Sequence, residues 1–144
     1  MNPELKSLYR ETLLRHSRKP KNRGSMEAAN ASFQLKNPLC GDIVTLYLEI
    51  EEALISRVTF EAQCCSICMA SASMLTEQVS GRKVDASVAF ASSLIVMLND
   101  PKRSLEIEGN EEIQSLSGVK SFPSRIRCAT LPWEAFREAV SQLK

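Results

Sequence analysis

The chain of 144 residues lacks most of the features that would settle its class at once. No apolar run approaches the roughly 20 residues that a membrane-spanning helix needs. The opening MNPELKSLYRETLLRH interleaves charged and apolar residues too closely for a signal peptide. Net charge is only +1, so no overall field draws the chain to nucleic acid or an anionic membrane, and neither is expected as a partner. Walker-type and dinucleotide-binding glycine motifs are absent, as are internal repeats and low-complexity segments. There is one histidine, His16, inside a helical pattern, where it reads as a packed or capping residue rather than a ligand. The lone tryptophan, Trp133, reads as a helix-packing anchor. The expectation is a cytoplasmic protein whose thiols stay reduced.

What is present is the composition of a soluble globular domain: 44% hydrophobic and 24% charged, long enough for one domain over 1–144 with a real core. The unusual content is five cysteines, three of them packed into CCSIC at positions 64–68. Five is odd, and intracellular cysteines more often bind metal or react than staple a fold.

Hydrophobic periodicity orders the chain. Leu5, Leu8, Tyr9, Thr12, Leu13 and His16 follow helical spacing, and Pro20 limits that helix. The basic stretch RHSRKPKNRG carries no aromatic stacking residue and reads as a solvated helix end. Val44, Leu46, Leu48 and Ile50 alternate with Thr45, Tyr47 and Glu49, predicting a strand over 42–50. A turn at 51–54 leads to a second strand at 55–62, antiparallel to the first. An earlier strand is expected near 31–35. After Cys65 the period becomes helical, with Gly81 as the stop, and a second helix covers about 84–98. Residues 99–124 read as a polar excursion with a short helix near 111–116. The last helix is expected at about 131–143, capped by Thr130, with Pro132 in its first turn. This order predicts an α+β fold, a small three-stranded antiparallel sheet with helices packed mainly on one side.

On that map Cys40 sits in the tight loop NPLCGD, Cys65 opens a helix after a strand, and Cys128 lies just before the cap of the last helix. With Asp42 beside Cys40, these residues make a set of three thiolates and one carboxylate that zinc accepts. The same set could hold iron and sulfide. Helix N-termini favour thiolates at Cys65 and near Cys128. Cys65 and Cys68 also form a C-x-x-C pair, but the antiparallel meander before it is not the βαβ setting of a thioredoxin-like site. A zinc knuckle would need a second close pair, which the chain does not have. Cys64 and Cys68 read as packing residues or auxiliary thiols.

LYRETLLRHSRKPKNRG, NPLCGD, CSICMASASMLTE and RIRCATLPWEAF together resemble the SufU-type branch of the IscU/NifU-like iron–sulfur scaffold family. The resemblance runs from about Leu8 to Leu143 and implies an IscU/SufE-like α+β fold. Arg127 stands where the scaffolds carry a histidine before the third cysteine, and residues 99–124 supply in part an insertion seen in the SufU branch. The resemblance implies a zinc site made of Cys40, Asp42, Cys65 and Cys128. It further implies a sulfurtransferase role, in which a metal-bound cysteine accepts persulfide sulfur from a SufS-like cysteine desulfurase and passes it to downstream iron–sulfur assembly machinery. The alternative is a scaffold that assembles and transfers a nascent Fe–S cluster on the same ligands. Cys40, in its loop between Pro38 and Gly41, is the expected acceptor. Arg125 and Arg127 could temper the negative potential of the site or greet the partner. Cys64 and Cys68 replace a glycine and a serine usual in the family. They could compete as ligands, accept sulfur or form a disulfide.

Overall fold

The computed structural model describes residues 3–39, 41–102 and 110–143; Cys40, the side chain of Leu5 and residues 103–109 of the excursion lie outside it. The first helix, α1, spans Pro3–Arg18 and begins on a proline, whose fixed φ suits a first turn. Its buried face carries Tyr9, Thr12 and His16, one turn apart or nearly so. The chain then turns through Asn22 at φ 58° and enters the sheet.

Three strands form an antiparallel meander in the order β1-β2-β3: β1 Ala31–Asn37, β2 Asp42–Glu51 and β3 Leu54–Gln63. The period-two pattern of β2 is realised directly, with Val44, Leu46 and Leu48 fully buried and Thr45 and Tyr47 on the other face. The β2–β3 connection is a two-residue turn in which Glu52 and Ala53 both adopt positive φ (50° and 67°), the geometry whose twist matches the flanking strands.

The helices α2 (Ser66–Val79), α3 (Val84–Asn99) and α5 (Ile126–Ser141), with the one-turn α4 (Glu111–Ser115), complete the chain. They pack on one side of the sheet, where α5 lies against β1 and β2 and also touches α2 and α3. α2 is buried almost all round, as expected of a helix at the centre of the helical layer. Its buried Ser71 is hydrogen-bonded twice: the Trp133 indole N–H donates to Ser71 Oγ (2.9 Å) and the Ser71 hydroxyl donates to the Ala129 carbonyl (2.6 Å). Trp133 is fully buried, with its ring 5.7 Å from that of Phe90, so it is the packing anchor its sequence context suggests.

The end of the chain differs from the sequence expectation. α5 begins at Ile126, not near 131, because 3-10 turns at Leu116–Ser121 and Pro123–Arg125 feed straight into it. Thr130 is not its cap; inside the helix, its hydroxyl donates to the Glu134 carboxylate (3.1 Å). Pro132 falls in the second turn, where it can donate no amide hydrogen to the helical ladder. Cys128 is thereby placed within the first turn of α5 rather than before the helix.

The Ser71 hydroxyl links α2 to both the backbone and the indole of α5. Ser71→Ala strands the buried Trp133 N–H and should cost about 1–3 kcal/mol in urea unfolding. An unchanged midpoint would show that the link contributes nothing.

Candidate metal centre

The centre is built where the sheet hands the chain to the helices. Asn37 and Asp42 are register partners at the open end of the β1–β2 hairpin. The Gly41 N–H donates to the Asn37 carbonyl (2.9 Å) and the Leu39 N–H to Asn37 Oδ1 (3.2 Å), which closes the loop. Gly41 has φ +75°, a conformation that side chains resist and glycine adopts freely. The loop leaves Asp42 buried at the first position of β2. There Asp42 Oδ1 accepts the Cys65 N–H (3.1 Å). This bond ties the start of β2 to the residue that caps α2.

Cys65 is the N-cap of α2, and its carbonyl accepts the first helical bond from Met69 (3.0 Å). Cys128 reaches the same point from the first turn of α5. The carboxylate of Asp42 and the sulfurs of Cys65 and Cys128 all lie within 4.8 Å of one another, with Asp42 and Cys128 buried and Cys65 half-buried. Two helix N-termini therefore converge on one cluster of anion-forming groups, and their dipoles favour negative charge there.

That favourable field does not make Cys128 a free thiolate. Burial, hydrogen bonds to Asp42 and Cys65, and the like charge of both neighbours push its pKa up. The Arg125 guanidinium partly opposes this: it hydrogen-bonds Cys128, interacts with Cys65, and has its own pKa raised in return. Arg127 is directed elsewhere, with its Nε donating to Glu134 (3.1 Å). Tyr9 of α1 also lies close enough for burial and the Cys65 charge to raise its pKa. Sequence reasoning placed Tyr9 on the buried face of α1 but gave it no part at the centre; its long-range neighbours Cys65 and Arg125 leave no local signal.

The remaining cysteines separate. Cys40 lies outside the described residues, between the exposed Leu39 and Gly41. Cys68 is fully buried in the core, and a hydrogen bond to Cys64 together with burial pushes its thiol pKa far up. Cys64 is half-buried. Neither joins the donor cluster among the described residues, so the C-x-x-C pair is divided between the centre and the core. His16 is buried and packed, as its sequence context suggests, with Nδ1 2.7 Å from Ser73 Oγ and Nε2 on Glu112.

Thiolate and carboxylate donors at this spacing fit a borderline-soft cation, and the donor chemistry suits zinc or iron with sulfide. The fold thus contains a candidate metal-binding Cys/Asp cluster.

Comparison with known proteins agrees with this geometry. The profile of the NifU-like N-terminal domain matches residues 8–129. The zinc-dependent sulfurtransferase SufU of Bacillus subtilis is 32% identical over 141 residues, covering 98% of this chain and 95% of that protein. The iron–sulfur cluster assembly scaffold protein IscU of Streptococcus pyogenes is 34% identical over 139 residues, covering 96% of this chain and 86% of that protein. The crystal structure of the N-terminal part of a nitrogen-fixing NifU-like protein from Brucella abortus superposes with a TM-score of 0.85 over 96% of each chain, at 18% identity, and so shares the fold.

The raised Cys128 pKa fixes the sign of a pH effect. A thiol held neutral by the fold contributes stability below the unfolded thiol pKa of about 8.5, and that stability is lost as pH rises above it. Cys68 acts in the same sense. The metal-free chain should therefore lose urea stability as pH rises from about 8.5 to 9.5, by up to about 1.4 kcal/mol per pH unit for each such thiol. Stability that is flat or rising across this window would contradict the placement of Cys128.

Proposed function

The chain belongs to the IscU/SufU/NifU-like iron–sulfur scaffold family, and from that premise we propose that it is a zinc-dependent sulfurtransferase that accepts persulfide sulfur from a cysteine desulfurase. The observation that carries the reading is the absence of an imidazole at a thiol-rich centre. The chain has one histidine, and its two ring nitrogens are engaged by Ser73 and Glu112. The position before Cys128, where the scaffolds resembled here carry a histidine, holds Arg127, paired with Glu134. The ligand set is then Cys40, Asp42, Cys65 and Cys128, with Cys40 joining the three donors already gathered.

Bound zinc would keep the thiols deprotonated at neutral pH and so supply a nucleophile. The Cys65 N–H donates to the Asp42 carboxylate and Cys128 is sealed by burial, so these three form the fixed part of the set. Cys40 lies in sequence between the exposed Leu39 (95%) and Gly41, and we take it as the thiol that a partner reaches. Its thiolate attacks the outer sulfur of the desulfurase persulfide. The partner's S–S bond breaks, the partner leaves as a thiolate, and Cys40 carries the new persulfide. The sulfur then passes to downstream iron–sulfur assembly machinery. Arg125 steadies the negative charge at Cys65 and Cys128, and Arg127 offers a surface cation for the partner. Cys64, half-buried beside Cys65, is an auxiliary thiol with some access, whereas Cys68 is enclosed by the core. Residues 1–144 act as one unit in this role, among the reduced thiols of the cytoplasm.

A second reading is supported by the 34% identity to an IscU scaffold: assembly and transfer of a nascent Fe–S cluster on the same ligands. The two readings separate experimentally. The purified chain should contain about one tightly held zinc per molecule, and desulfurase with cysteine should add sulfur to it. Cys40→Ala should abolish that uptake by mass spectrometry, and retained uptake would remove Cys40 from the acceptor role. A chromophore built by anaerobic reconstitution with iron and sulfide, and handed on to an apo-ferredoxin, would favour the scaffold instead.

A further inference from the structure

A second group of metal-ligating side chains stands apart from the thiol centre. His16 of α1, Glu77 of α2 and Glu112 of α4 offer one nitrogen and two oxygens, all within 4.8 Å of one another. The three residues are far apart in sequence and come from three different helices, so their convergence is a product of the tertiary fold. The geometry points to a second cation site here, for a divalent first-row ion that accepts nitrogen and oxygen donors, such as Mn²⁺, Fe²⁺ or Zn²⁺.

The supporting atoms around this group have the arrangement that ligands need. His16 Nε2 faces both carboxylates: it bonds Glu112 Oε2 and lies 3.7 Å from Glu77 Oε1. Its other nitrogen, Nδ1, is held by Ser73 Oγ at 2.7 Å, which fixes the ring orientation as partners of metal-bound imidazoles do. Glu112 Oε1 is held by Arg15 at 3.1 Å, leaving Oε2 turned inward. Burial opposes ionisation of Glu112, but His16 and Arg15 outweigh it and keep the carboxyl below its ordinary pKa. His16 is 2% exposed, whereas Glu77 and Glu112 open onto a cleft of about 290 Å³ that Gln78 and Asn110 also line. A cation can therefore enter from solvent, replace the proton shared by His16 and Glu112, and keep water in its remaining positions.

The two centres differ in charge and softness. A dication with two carboxylates and one neutral imidazole carries no net charge, whereas the thiol centre concentrates sulfur. Hard and intermediate ions prefer the nitrogen and oxygen donors, and soft ions the thiolates. Occupancy at His16, Glu77 and Glu112 would pin α4, and with it the segment that leads to Cys128, onto the first two helices. The inference is independent of which group the thiol centre carries.

The test uses the full chain with no more than one equivalent of zinc, which the sulfur donors take first, and titrates it with Mn²⁺, following free Mn²⁺ by electron paramagnetic resonance. A single further Mn²⁺ should bind saturably, and Glu77→Gln should weaken it by about tenfold or more, since even supporting partners of a ligand contribute that much. Glu77 is 47% exposed, so the variant should fold, with a far-UV circular dichroism spectrum matching that of the parent. Mn²⁺ should raise the melting temperature of the parent chain and not that of the variant. No saturable binding below roughly 1 mM, the weak end of specific association, or equal binding by parent and variant would overturn the site and leave an ion-pair network that only joins the helices.

Discussion

Repulsion among anion-forming groups held close together is the constraint around which this molecule is organised. Asp42, Cys65 and Cys128 place their donor atoms within 4.8 Å of one another, at the start of a strand, the N-cap of α2 and the first turn of α5. Close approach of three such groups costs free energy whenever more than one is charged. The fold answers with two helix N-termini and the Arg125 guanidinium, and still leaves Cys128 with a raised pKa. A bound cation reverses the sign of the problem, because each deprotonated donor then attracts rather than repels. The rest of the architecture serves to keep these elements meeting at one point. Asp42 fastens β2 to Cys65, and the Ser71 hydroxyl fastens α2 to Ala129 and Trp133 of α5.

The centre is also uneven in its surroundings. Cys128 and Asp42 are buried, Cys65 is half-buried, and the loop that carries Cys40 is exposed on both sides of it. Under the proposed role, the buried Asp42 and Cys128 are the fixed part of the set, and the thiol between two exposed residues is the one exchanged with a partner. The distribution of the other thiols fits the same division: Cys68 is committed to the core and hydrogen-bonded to Cys64, away from the donor cluster. In the last turn of α1, His16 is occupied with Ser73 and Glu112 and is not one of the donors gathered at the thiol centre.

Much of this was legible in the residues themselves. The alternation at Val44, Leu46 and Leu48 gave a strand with a buried face, and Gly81, at φ +78°, does follow the end of α2. The edge positions of Cys65 and Cys128, with Asp42 beside a turn, suggested a shared centre because each lies where the chain changes direction. Thr130 and Pro132 misled. Together they imitate a cap and a first turn, but the 3-10 turns before Ile126 had already set the helical path, a tertiary effect without local signature. Tyr9 and the grouping of His16 with Glu77 and Glu112 escaped for the same reason. Helical spacing shows which residues of α1 face inward, not which residues of α2 or α4 they meet.

The most direct test of the account counts protons released when zinc is added to the metal-free chain near pH 7, by calorimetry in buffers of different ionisation enthalpy. If the thiols are neutral without a cation and deprotonated with one, binding by the proposed thiol ligands Cys40, Cys65 and Cys128 should release about three protons per zinc. Release close to zero would contradict it, because the thiols would then already be ionised, or would not be the ligands.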